Sequence, residues 1–194
     1  IYNSPVTISN SATYKTEEIA YHEAGHAIVS EILDPNSVTL IATGSNNTYS
    51  GLTAYVRSEH YWQSVELMKN RVMCLLAGKC AVELAFGKND IGANSDFTRA
   101  KDVLERMVCE YGLLGFDKLR KSRGMGVSES HNYTQIRAIN DELTRYYQKT
   151  KELIAMNKEF LDKLAKLVME KDIVTEGEIS AIKSSCTIKL PSII

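Results

Sequence analysis

Two histidines stand four residues apart, at His22 and His26, and Glu23 directly follows the first of them. On a helix, residues with this spacing lie on one face with β-carbons about 5–6 Å apart, so both imidazoles can reach one metal ion. Neutral imidazole is a good ligand for Zn²⁺. Glu23, one step round the helix, can reach water at the metal without being a ligand and can accept its proton during attack on a carbonyl. The pattern therefore predicts a zinc metalloprotease site with Glu23 as its base.

The alternative interpretation is a helix that carries two surface histidines and a glutamate. The position of the motif argues against it, because the motif lies inside an apolar segment, between Ala20 and Ala27. Buried His and Glu side chains in such a segment need polar or metal partners. We therefore favour the metal site.

A zinc site of this type needs a third protein ligand, with the fourth position left to water. No third histidine follows at a short spacing, and we interpret His60 and His131 as surface residues because both lie in polar or loosely structured segments. The carboxylates that remain as candidates are Glu83, Asp90, Asp96, Asp102, Glu105 and Glu110. Asp96 is favoured locally, because it follows a glycine-bearing loop and opens a helix, where the backbone can aim it across a cleft. Composition by itself leaves the choice open.

The elements that must position these groups are predicted to be mainly helical. A helix over 17–33 carries the motif, with Thr16 as its cap and Pro35 ending it. Strand-like runs at 38–43 and 52–57 flank a glycine- and asparagine-rich turn and predict an antiparallel hairpin. Further helices are predicted over about 62–86, from 95 or 96 onward, and over 133–156, 158–171 and 179–183. Gly78 either ends the first of these or allows close helix packing.

The predicted fold class is mainly α, a helical domain with one small β-hairpin or sheet. We expect an irregular N-terminal segment at 1–15, the domain at 16–186 and a C-terminal tail at 187–194. The segment 112–131, which is rich in glycine and in basic residues around Arg120, is predicted to be a surface loop.

Charge and composition exclude several classes of protein. The 194 residues carry 23 basic and 24 acidic side chains, a net charge of -1, which argues against a nucleic-acid partner. The longest apolar run, 72–77, is far shorter than the roughly 20 residues of a membrane span, so we expect no membrane segment in this chain. Four cysteines without close metal or redox spacing favour reduced thiols and a cytoplasmic location, with one disulfide in an exported protein as the alternative. The chain starts at Ile rather than Met, which favours a piece cut from a longer protein over a free-standing one.

Several short segments along the chain match one known family in the same order. They are 20–27, 76–83, 86–87, 92–97 with Ala100, 107–108, 111–112, 161–165 and 175–179. Together they resemble the FtsH family, the AAA+ zinc metalloproteases. The resemblance covers about 17–183, and the combination is far more specific than the two-histidine motif alone.

The resemblance implies specific roles for the motif residues. His22 and His26 would be zinc ligands, Asp96 the third ligand and Glu23 the general base. It also implies a mainly helical zinc-metallopeptidase domain with a small β-hairpin or sheet beside the active site. Zn²⁺ would be the cofactor, and the activity would be endopeptidase cleavage of unfolded or partly unfolded proteins. By the same analogy, an edge strand at 52–56 or 38–43 would pair with an extended polypeptide substrate. A homo-oligomeric ring, an ATPase module upstream in a longer chain and membrane association of the full-length protein follow from the family as well.

The sequence also departs from that family. No nucleotide-binding loop of the type G-x-x-x-x-G-K-[ST] occurs, Ile91 stands where the family usually has Thr, and the basic segment near Arg120 is unlike the family's. Two alternatives stay open: a catalytically silent or assembly-dependent relative that binds polypeptides, and a metallohydrolase that acts on a small molecule. The intact motif argues against the first, because a binding module has no need for Glu23.

Overall fold

The computed structural model describes residues 11–43, 51–55, 64–88, 94–116 and 129–190. Within these ranges the chain is mainly helical and contains one small antiparallel sheet, which confirms the predicted fold class. The elements are α1 (Ser11–Leu33), β1 (Val38–Ala42), β2 (Leu52–Tyr55), α2 (Val65–Phe86), α3 (Asn94–Glu105) with a π-helical turn (Arg106–Glu110), α4 (Glu129–Met156), α5 (Lys158–Glu170), β3 (Ile173–Thr175) and α6 (Glu176–Ser184).

The motif-bearing helix α1 is held on more than one side, since it packs against both α2 and α5. Its apolar residues do not form a single stripe: Ala20, Ala24, Ala27, Ile28 and Val29 are all buried. A helix that is apolar around most of its circumference is a buried helix. The core around it is filled by large, fully buried side chains, among them Met73, Leu76, Leu104, Leu153, Phe160 and Leu164. This packing fixes α1, and with it the direction in which the histidines point.

The predicted hairpin is confirmed and is part of a three-stranded sheet in the order β2-β1-β3. β1 pairs antiparallel with both neighbours, so that Ile41 lies opposite Thr53 on one side and opposite Val174 on the other. β1 is therefore the central strand, and β2 is an outer strand of the described sheet.

The main differences from the prediction are the starts of α1 and α4 and an additional strand. α1 begins at Ser11, so Thr16 lies inside the helix and is not its cap. α4 begins at Glu129, which makes the last residues of the predicted 112–131 loop helical; residues 117–128, including Arg120, lie outside the described residues. β3 was not predicted at all.

Two properties predicted from composition can be compared with the structure. The described helices include none that is long and apolar enough to cross a bilayer. The four cysteines are free, and Cys74, Cys80 and Cys109 are buried.

Candidate metal centre

The two motif histidines share one face of α1 and meet at their outer ring nitrogens. The Nε2 atoms of His22 and His26 lie 3.0 Å apart. His26 is buried, and its other ring nitrogen, Nδ1, lies 2.7 Å from the backbone carbonyl of Cys74 on α2. A carbonyl can only accept, so Nδ1 donates, and in the neutral imidazole Nε2 keeps its lone pair. A ring nitrogen anchored in this way is oriented for metal binding.

Asp96 joins the histidines from the first turn of α3. Its Oδ2 atom lies 3.5 Å from Nε2 of His22 and 3.3 Å from Nε2 of His26. The guanidinium of Arg99, one turn later, lies 3.4 Å from the other carboxylate oxygen, Oδ1. Asp96 thus directs one oxygen toward the histidines while a cation holds the second.

The charge of Asp96 is stabilised by its neighbours. Burial alone would raise the pKa of this carboxyl, but hydrogen bonds from His22 and His26 and their positive charge when the rings are protonated outweigh burial and hold the pKa well below the usual range. Asp96 is therefore a carboxylate at neutral pH. Together the three residues form a group that could hold a metal ion, with one ligand atom from each within 4.8 Å of the others.

Gly78 lets α2 come close to this group. A β-carbon at position 78 would lie 2.6 Å from Cε1 of His22 and 2.6 Å from Nε2 of His26, closer than real contacts allow. α2 runs through this glycine without a break. Of the two predicted roles, close packing is therefore the correct one.

Glu23 faces β2, beside the histidines. Thr53 donates a hydrogen bond from Oγ1 to Oε2 of Glu23 at 2.6 Å, and both residues are buried. The carboxylate thus lies next to the His–Asp group without being a member of it. A cleft of about 370 Å³ opens here, with Glu23, His26, Thr53, Tyr55, Arg71 and Asp96 among its lining residues.

Cys74 also lines this cleft, but its thiol is not a candidate nucleophile. Burial raises its pKa to about 11, so it is protonated at neutral pH. The sulfur accepts a hydrogen bond from Oγ of Ser30 at 3.1 Å. The contribution of Cys74 to the site is its backbone carbonyl.

The other candidate ligands lie elsewhere. Glu83 is bound by the hydroxyl of Tyr147 and the ammonium of Lys151, Glu110 pairs with Arg106, and Asp102 is exposed. Neither Asp102 nor Glu105 joins the group formed by the motif histidines. Asp90, His60 and Ile91 lie outside the described residues, as does the side chain of His131.

Sequence reasoning missed two residues that touch Glu23, namely Thr53 and Gly51. In the sequence, Gly51 borders the predicted turn and Thr53 lies in the predicted strand 52–57, and neither position by itself indicates a contact with Glu23. Their spacing was the one available indication, because residues two apart on an extended strand face the same side.

Comparison with known proteins places this arrangement in a family. The model of peptidase family M41 matches residues 10–182. The chain belongs to peptidase family M41. The match to the M41 family covers α1, α2, α3 and all three strands, so it includes every element that builds the site.

Curated relatives of this M41 domain carry the FtsH name, which confirms the resemblance seen in the sequence. "ATP-dependent zinc metalloprotease FtsH 3" of Phytoplasma mali is 29% identical over 183 residues, covering 89% of this chain and 29% of the relative. The FtsH proteins of Bacillus subtilis and Syntrophobacter fumaroxidans are 28% and 32% identical, covering 83% and 84% of this chain and 28% of each relative. The M41 chain thus spans less than a third of the length of these relatives.

Proposed function

We propose that this chain is a zinc endopeptidase domain that hydrolyses peptide bonds in unfolded or partly unfolded proteins. The observation that supports this most strongly is the convergence of His22, His26 and Asp96 next to the carboxylate of Glu23. The names of the FtsH relatives, which describe zinc metalloproteases, point to the same metal and reaction.

The geometry of the three atoms fits zinc. A tetrahedron with metal–ligand bonds of about 2.0–2.1 Å has edges of about 3.3–3.4 Å. The three separations between Nε2 of His22, Nε2 of His26 and Oδ2 of Asp96 are 3.0, 3.5 and 3.3 Å. Two imidazole nitrogens and one carboxylate oxygen are also a donor set that Zn²⁺ prefers, with a fourth position left open.

The roles of the protein groups follow from their positions. When bound, Zn²⁺ would polarise the scissile carbonyl and make water a better nucleophile at neutral pH. Glu23 accepts the proton of the attacking water and then delivers it to the amine of the leaving peptide. Asp96 and Arg99 carry compensating charges at the edge of the site, and Cys74 holds the ring of His26 in place through its carbonyl.

The polypeptide would bind along β2. β1 has a partner on both sides, so the alternative edge at 38–43 is wrong. β2 pairs with β1 on one side, lies directly beside Glu23, and has Leu52 more than half exposed. An extended substrate could add as a further strand there, held mainly by backbone hydrogen bonds.

The larger setting of the domain is part of the same proposal. The relatives are named as ATP-dependent enzymes, and we propose that an ATPase module and a homo-oligomeric ring serve this domain in a longer protein. The four free thiols favour the cytoplasm.

Zinc analysis of the purified chain, together with cleavage of casein with and without a chelator, tests the proposal. We expect one zinc per chain and cleavage that stops when the chelator removes the metal. Zinc without cleavage would support a silent or assembly-dependent domain. Hydrolysis of small amides without cleavage of casein would support the small-molecule hydrolase. Either result would contradict the proposal.

A further inference from the structure

Thr53 in β2 and Gly51, which directly precedes β2, both contact the side chain of Glu23. The Oγ1 atom of Thr53 lies 2.6 Å from Oε2 of Glu23 and 3.2 Å from the backbone carbonyl of the same residue. A threonine hydroxyl has one proton to donate. The shorter distance and the charge of the acceptor favour the carboxylate, and such charge-assisted bonds are the stronger kind.

Gly51 touches the other side of the same carboxylate. A β-carbon at position 51 would lie 2.7 Å from both Cγ and Oε1 of Glu23. The backbone of Gly51 is not in the left-handed region that favours glycine. A β-carbon at position 51 would therefore displace the side chain of Glu23, whereas the backbone conformation itself does not call for glycine.

From these two contacts we infer that Thr53 and Gly51 are positioning residues for the proton transfer by Glu23, an inference that rests on the proposed function. Thr53 holds Oε2. Among the described residues, no hydrogen bond is formed to Oε1. We therefore assign the proton exchange to Oε1, the oxygen that Thr53 does not bind.

Glutamate needs neighbours that hold its side chain in one conformation if it is to act as a general base. Its side chain has three rotatable bonds, whereas a general base must lie within hydrogen-bond reach of the proton it takes. A glutamate side chain already held in one rotamer loses no further conformational entropy when it takes up the position needed for proton transfer.

The hydrogen bond from Thr53 also links the proposed base, Glu23, to the strand that we propose to bind the polypeptide. Thr53 faces α1 from the strand that we propose to pair with the polypeptide. The backbone of β2 would therefore place the scissile bond while a side chain of the same strand places the base. Removal of the Thr53 hydroxyl should leave backbone pairing intact, so the loss should appear in kcat and not in KM.

Three variants of the full chain test the inference with casein and a short unstructured peptide as substrates. Thr53→Val keeps the shape and the β-branched side chain but removes the donor, and it should lower kcat roughly 10- to 100-fold with KM and zinc content unchanged. Thr53→Ser restores the hydroxyl and should recover most of kcat. Gly51→Ala should push the carboxylate out of place and lower kcat at least as far as Thr53→Val. Thr39→Val, a threonine of β1 away from the site, is the control for this change in the sheet and should match the parent.

The outcomes separate this inference from the proposed function. Parent-like kcat in both Thr53→Val and Gly51→Ala, while Glu23→Gln is inactive, would overturn the positioning role and leave the protease intact. Failure of Thr53→Ser to recover activity, or a change in KM alone, would also overturn it. Absence of cleavage by the zinc-loaded parent chain would overturn the proposed function and this inference with it. Thermal unfolding of each variant shows whether a loss comes from misfolding, and a variant that unfolds early counts against the positioning role.

Discussion

Two polar clusters lie along α2, about one and a half turns apart, and they are built in opposite ways. Around Gly78, two imidazole nitrogens and a carboxylate oxygen converge at separations of 3.0–3.5 Å. Around Glu83, the carboxylate receives the hydroxyl of Tyr147 on one oxygen and the ammonium of Lys151, at 2.9 Å, on the other. In the first cluster, one carboxylate oxygen meets two imidazole nitrogens that can bind a metal, whereas in the second cluster a tyrosine hydroxyl and a lysine ammonium occupy both carboxylate oxygens.

The titration of the two clusters follows from this difference. The hydrogen bonds from Tyr147 and Lys151 hold the pKa of Glu83 below its usual value. Burial, followed by the contact with Glu83, raises the pKa of the Tyr147 phenol. Each group keeps the charge that suits its partner, so the Glu83 cluster joins α2 to α4 without any ligand. The difference teaches that a carboxylate on a functional helix is a candidate ligand only where its neighbours are also metal-binding groups.

The largest effect is expected where a proposed ligand of the first cluster is removed. Asp96→Ala should lower zinc affinity by more than about 100-fold, because changes to groups that only orient ligands already cost about 10- to 100-fold. Competition with a chromogenic chelator measures this affinity. Asp102→Ala, an exposed aspartate of the same helix, is the matched control and should keep its zinc. Unchanged affinity in Asp96→Ala would assign the third ligand to another carboxylate.

An intermediate effect is expected in the second cluster, on stability alone. Tyr147→Phe removes a hydrogen bond to a charged group and should lower the free energy of unfolding by about 1–2 kcal/mol. Denaturant unfolding measures the loss, and zinc content should be unchanged. Tyr133→Phe, an exposed tyrosine of α4, should have almost no effect. Loss of zinc in Tyr147→Phe would show that the two clusters are not independent.

The smallest effect is expected at the far side of the sheet. Thr175 and Glu178 form a capping box at the start of α6, next to β3. Thr175→Ala should cost about 1 kcal/mol of stability, and Thr175→Ser should recover it. Both variants should cleave casein at the parent rate, because β1 separates β3 from β2. A clear loss of casein cleavage in a folded Thr175→Ala variant would contradict the expectation that changes at β3 do not reach β2.

The sequence carried enough information for the parts of the site that are local. The spacing of His22 and His26 is a property of the helix itself, and the structure places them on one face as predicted. The start of a helix near Asp96 was also predictable from composition, and α3 begins at Asn94. That Asp96, and not Glu83, lies beside the histidines was not predictable from composition. It depends on Tyr147 and Lys151, which bind Glu83 and are more than 60 residues away from it in the chain.

Most of the remaining differences also depend on contacts between segments that are distant in the chain. β3 has three residues, too few for a recognisable pattern, and it exists because β1 offers it an edge. Thr16 carries the chemistry of a cap but lies inside α1, because its local pattern does not exclude an earlier start at Ser11. The contacts of Gly51 and Thr53 with Glu23 depend on how the sheet packs on α1, which no spacing in the sequence records.

The most direct test of the central claim is a comparison of Glu23→Gln with the parent chain, measuring bound zinc and casein cleavage on the same samples. Glutamine keeps the size of the side chain but cannot accept the proton, and Glu23 is not among the converging ligand atoms. We predict parent levels of zinc and no detectable cleavage. Cleavage at the parent rate by the zinc-loaded variant would contradict the role of Glu23 as the base, and loss of zinc would show that Glu23 is itself a ligand.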